Sequence, residues 1–172
     1  MSQSKSDELR AVQAPLKERY REDPDSAVVT LRASGELGEG VTCRLETGRA
    51  LASAGLHPAS GGSGTELCSG DMLLEALAAC AGVTMRAVGT SLAIPVEGRV
   101  IAEGDLDFRG TLAVDREAPV GFRSIRLRFD LETDADEASV DKLVELTERY
   151  CVVLQTIAGS ATLGTSWTRT AA

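Results

Sequence analysis

Four cysteines, Cys43, Cys68, Cys80 and Cys151, are the residues of this 172-residue chain whose chemistry is most open to use. They form no CxxC pair, which argues against a thioredoxin-like dithiol and against a zinc ribbon. His57 is the one histidine, so a Ser-His-Asp or Cys-His arrangement has a single possible base. His57 and Cys68 together could start a metal site, but their neighbours supply no further well-spaced ligands. A loop histidine bonded locally is the stronger reading, and neither a metal nor an organic cofactor is expected. Gly61-Gly62-Ser63-Gly64 precedes no Lys-Ser/Thr pair and so is not a Walker-type phosphate loop. Cys80 falls in the middle of an apolar helical stretch and Cys151 at the start of a late helix. A helix N-terminus lowers a thiol pKa, which favours Cys151 as a thiolate; Cys80 would need a neighbouring cation. Free cysteines also serve as inert small hydrophobes in cores, and that reading stays open for both.

The elements that would position these thiols can be read from periodicity. Residues 6–21 carry Leu9, Val12, Leu16 and Tyr20 at helical spacing behind Ser6-Asp7-Glu8, which predicts an amphipathic helix that Pro15 kinks or splits. Ala27 to Ala33 alternates as a strand, Gly35 to Gly40 reads as a turn, and Val41, Cys43 and Leu45 share one face of a second strand, Cys43 inward. His57 to Gly64 is a loop by composition. Cys68 ends this Gly/Ser-rich segment, either as an exposed thiol or as a third redox partner. From Asp71 the run DMLLEALAACAGVTMRAVGT is apolar on nearly every side, as in a helix buried between layers. Glu97 to Val114 and Ser124 to Leu131 read as strands, the second alternating Ile125, Leu127 and Phe129 with Arg126, Arg128 and Asp130. Glu132 to Glu137 opens a helix with Val140, Leu143, Val144 and Thr147 on one face; a short helix follows Tyr150-Cys151, and Thr162 to Trp167 is read as a last strand. Strands, a helix, strands and then helices make an α+β fold of one domain, 27–172, behind an N-terminal helical extension, 1–26.

Composition removes several functions. Acidic residues outnumber basic ones by 26 to 18, for a formal charge of -8, so no nucleic-acid partner is expected. The N-terminal residues contain no apolar h-region, and Met72 to Val88 is interrupted by Glu75 and Arg86. The reading is therefore a cytoplasmic protein with no signal peptide and no membrane partner. An apolar helix of this kind is hard for one small chain to cover, which predicts a homodimer.

Asp71 to Cys80, an acid followed by an Ala/Leu-rich stretch and a helix-borne cysteine, is joined about 70 residues later by Thr147-Glu-Arg-Tyr-Cys151. Together the two segments resemble the OsmC/Ohr family of organic hydroperoxide reductases. The resemblance implies an intertwined homodimer in which antiparallel sheets wrap two long buried helices. It implies a thiol peroxidase: Cys80 attacks a small organic hydroperoxide, Cys151 resolves the sulfenic acid as a disulfide, and an external dithiol reduces it. Asp71 stands at the position of the family's acid, although nine positions at about 100° put it on the helix face opposite Cys80. Hydroperoxide reductases also carry an arginine near the turn after the first strand; here Arg32 and Arg44 are the nearest cations to Gly35-Glu36-Leu37-Gly38. The alternative is a non-catalytic scaffold of this fold that binds an apolar small molecule between subunits.

Overall fold

The computed structural model describes residues 34–37, 42–46, 51–113 and 115–169, with Asp7, Ala11, Ala14 and Glu22 as isolated positions. Apart from those four, the helix read over 6–21 and the strand read over 27–33 lie outside the described residues, as does the boundary between extension and domain. A four-stranded sheet runs in the order β1 (Ser34–Leu37), β2 (Thr42–Glu46), β3 (Leu51–Gly55), β4 (Leu67–Cys68). The first three strands are antiparallel, and β4 joins β3 in parallel. Gly35 to Leu37 is thus strand, where a turn was expected, because its backbone pairs with Cys43 to Leu45. β3 is made of Leu-Ala-Ser-Ala-Gly, residues with little preference for a strand; its ladder to β2 supplies what propensity does not.

The helix α1 (Ser69–Leu92) follows β4 directly, and β5 (Glu97–Leu106) then pairs antiparallel with β6 (Phe122–Glu132). In β6, Ile125, Leu127 and Phe129 are half-buried while Arg126, Arg128 and Asp130 are exposed, as the alternation predicts. The strand expected to run on to Val114 stops at Leu106 and gives way to the one-turn helix α2 (Phe108–Thr111). A side chain at Gly110 would meet the Pro119 and Ala118 carbonyls at 2.5 and 2.6 Å, so this turn closes against the segment leading into β6. The helix α3 (Glu137–Tyr150) starts at Asp136, whose carboxylate accepts the Ser139 N–H at 2.8 Å. A 3-10 turn, Pro58–Ser60, a single turn, α4 (Val152–Gln155), and a π-helical turn, Thr156–Ser160, complete the regular structure among the described residues.

α1 packs on β5, α3 and α4. Its inner stripe is Leu77, Ala81, Met85 and Gly89, spaced by four and all buried. A side chain at Gly89 would lie 3.1 Å from the Ile94 carbonyl and 3.2 Å from Val96, so glycine lets the returning chain pass close. The reading of α1 as buried on every side is corrected: Val83 is 72% exposed and Leu73 39% exposed. Among the described residues, the elements packed on α1 leave its Val83 side uncovered. By length and composition α1 could also cross a bilayer, yet its inner stripe packs on a sheet and a helix as a core helix does. The strand read over Thr162–Trp167 does not form: the segment takes no regular structure, and Leu163 and Trp167 are 91% and 84% exposed.

Candidate redox site

Cys80 projects from the middle of α1 into the cluster built on Leu77, Ala81 and Cys151, which Val100, Ala102, Ile125, Leu127 and Phe129 of the β5–β6 sheet complete. Cys151 reaches the same place from the corner between α3 and α4. Its φ of -71° and ψ of 103° are extended, so one residue ends α3 and caps α4. Hydrogen bonds hold that corner from both sides. The Cys151 N–H donates to the Thr147 carbonyl at 2.9 Å, and the Cys151 carbonyl accepts the Gln155 N–H at 3.0 Å. The Gln155 side-chain amide donates back to the Glu148 carbonyl at 3.0 Å. Thr147, fully buried, donates its hydroxyl to the Leu143 carbonyl at 2.7 Å, so its polar group is satisfied inside the core.

The two thiols pack into the same core cluster, and their surroundings push their acidities apart. At Cys80 burial acts upward, but hydrogen bonds from the Val153 N–H, the Cys151 thiol, the Thr84 hydroxyl and the Val152 N–H outweigh it and hold the thiol below its ordinary value. At Cys151 burial dominates and pushes the thiol up; the bond to Cys80 and the negative charge there act the same way, against the Leu154 and Val153 N–H groups. The two environments act in opposite senses: the one around Cys80 favours its thiolate, and the one around Cys151 favours its neutral thiol. This reverses the reading in which the helix terminus favours Cys151 as the thiolate, because the first N–H groups of α4 reach the sulfur across from them as well as the cap residue's own.

The remaining candidates lie elsewhere. Asp71 belongs to α1, which begins at Ser69, and is exposed in its first turn. Nine residues of helix put it roughly 14 Å along the axis from Cys80, so a single chain does not bring it to the thiol pair. Cys68 caps the N-terminus of α1, beside Gly70, about 18 Å of helix from Cys80, which excludes it as a third partner within one chain. Cys43 is paired with Leu37 and Ala54 in the sheet. His57 accepts the Ala59 N–H on Nδ1 at 3.0 Å and stacks on Phe108 at 5.0 Å, the local structural role its composition suggested. Arg32 lies outside the described residues, and the Arg44 backbone pairs with Glu36 and Ser53. Sequence reasoning missed Thr84, Val152 and Val153. Thr84 stands four residues after Cys80 on the same helix and was findable by that spacing; backbone donors leave no mark in residue types.

The chain belongs to the OsmC-like protein family, whose family model matches residues 62–166. No curated protein sequence matches it. Among solved structures it is similar to an OsmC-like protein from Mycoplasma pneumoniae, with 15% identity over 77% of this chain and 89% of that one, at a TM-score of 0.65. It is also similar to an organic hydroperoxide resistance protein OsmC from Legionella pneumophila, with 16% identity over 77% and 92%, at a TM-score of 0.57. An organic hydroperoxide resistance protein from Elizabethkingia anophelis aligns with 14% identity over 78% and 91%, at a TM-score of 0.57. At these identities the likeness is one of fold, and it makes the α+β architecture that of the OsmC/Ohr proteins.

Proposed function

We propose that this protein is a thiol peroxidase that reduces organic hydroperoxides, with Cys80 as the attacking thiolate and Cys151 as the resolving thiol. One observation carries the reading: the two thiols pack into one core cluster, Cys151 buried and Cys80 partly open, in surroundings that hold Cys80 below its ordinary value and push Cys151 above it. In this reading the Cys80 sulfur attacks the outer oxygen of the hydroperoxide. An S–O bond forms as the O–O bond breaks, and the leaving alkoxide takes a proton to become the alcohol. Cys80 is then a sulfenic acid. Cys151 condenses with it, an S–S bond forms and water leaves, and two electrons from an external dithiol restore both thiols. Exposed Val83, one turn from Cys80, and exposed Val152, whose N–H meets the Cys80 sulfur, favour an apolar substituent on the oxidant.

A homodimer and a reducing, cytoplasmic setting belong to the same proposal. The uncovered Leu73 and Val83 on α1 and the exposed Leu163 and Trp167 support a second copy as the occupant of these surfaces. Asp71 joins the site only if that second copy brings the start of an α1 helix to Cys80. Asp71→Ala then lowers activity more than Glu75→Ala, and equal rates remove Asp71 from the site. The central test mixes reduced protein with cumene hydroperoxide and counts thiols. Loss of two thiols per chain, mapped by peptide mass to Cys80 and Cys151, is expected; retention of both overturns the enzyme reading in favour of a binding scaffold.

A further inference from the structure

We propose that Thr84 is a positioning residue for the Cys80 thiolate, its single hydroxyl proton turning from the Cys80 carbonyl oxygen to the Cys80 sulfur when the thiol ionises. Helical side chains lean toward the N-terminus, so the Thr84 hydroxyl lies over the turn that carries Cys80, four residues earlier. It donates there to the Cys80 carbonyl at 2.8 Å from a half-buried position. That carbonyl already accepts the Thr84 N–H in the continuous helix Ser69–Leu92, so the hydroxyl bond can be given up without orphaning a backbone group. Rotation about one C–O bond then suffices.

Thr90, Thr147 and Thr156 make the same bond to the carbonyls of Arg86, Leu143 and Val152. None of those residues offers a side-chain acceptor, so their hydroxyls have nowhere else to turn. Thr84 differs because the residue beneath it is Cys80, four positions back on the same helix face, whose sulfur is a side-chain acceptor that the other three lack. A hydroxyl proton directed at sulfur stabilises the anion and not the neutral thiol, whose own proton leaves to water.

This inference deepens the thiol-peroxidase reading and rests on it, but its test needs no peroxide. Reduced full-length wild type, Thr84→Val, Thr84→Ala and Thr84→Ser are alkylated with iodoacetamide across a pH series, and labelling of Cys80 is followed by peptide mass. Val and Ala are expected to move the midpoint for Cys80 up, slowing labelling at neutral pH about tenfold for each unit moved, with the plateau rate at high pH unchanged. Ser keeps the hydroxyl and restores the wild-type midpoint. Unchanged midpoints in the Val and Ala proteins overturn the proposal, as does a Ser variant shifted as far as Val, which would indicate packing of the methyl group. A shifted profile in a protein that leaves cumene hydroperoxide intact refutes the peroxidase reading and leaves the Thr84 role standing.

Discussion

Cys80 and Cys151 meet in one core cluster at different depths, and that difference sets their acidities apart. Cys151 is fully buried at the α3–α4 corner, whereas Cys80 is partly open on α1. Burial disfavours an anion, so the deeper thiol is pushed up, while the donors around the shallower one hold it down. In the proposed reaction the same geometry sets the order of oxidation: an oxidant arriving from solvent would meet the less buried Cys80 first, with Cys151 behind it in the same cluster.

Cys80→Ser should abolish hydroperoxide consumption while leaving the fold intact, since the exchange of sulfur for oxygen is nearly isosteric. Cys151→Ser should still undergo the first oxidation but form no disulfide, so Cys80 accumulates as sulfenic and then sulfinic acid. Intact-mass spectrometry checks this: gains of oxygen in Cys151→Ser, loss of two hydrogens in the wild type. Full turnover by Cys80→Ser would overturn the assignment.

The opposite shifts of the two thiols give opposite pH dependences. Cys80 is lowered, so its contribution to stability is present above the ordinary thiol pKa and is lost as pH falls through its lowered value. Cys151 is raised, so its contribution is present below the ordinary thiol pKa and is lost as pH rises through its raised value. Urea titrations of wild type, Cys80→Ser and Cys151→Ser across the alkaline range should therefore show the stability gap of Cys80→Ser widening toward high pH and that of Cys151→Ser narrowing.

Leu77→Ala should cost about 2–5 kcal/mol of stability, because Leu77 is fully buried against Ala81 and Cys151 and its loss leaves a cavity. The urea midpoint measures the cost. The same cavity loosens the contact between the sulfurs, so disulfide formation after oxidation should slow in parallel.

Val83→Glu should yield a monomer. Val83 is the most exposed large apolar side chain on α1, and a charge there would be buried without a partner if a second copy covers that face. Sedimentation velocity is expected to give twice the mass of one chain for wild type and the mass of one chain for Val83→Glu. A wild-type monomer at micromolar concentration would remove the dimer.

Much was determined by residue order alone. The alternation from Ile125 to Asp130 specified which face of β6 turns inward, because a strand has a period of two whatever it packs on. Leu143 and Thr147 marked the inner face of α3 by helical spacing. Two short segments around Cys80 and Cys151 were enough to indicate the family. Tertiary structure decided what depends on neighbours distant in the chain. β3 exists because β2 lies beside it, and 162–167 is not a strand because no described strand lies beside it. Among the described residues β5, α3 and α4 pack along one side of α1, which leaves Val83 on the other exposed. The order of acidity between the cysteines was decided there too. Local position favoured Cys151 at its helix start, but burial and the direction of the Val152 and Val153 N–H groups are set by packing, and packing favours Cys80.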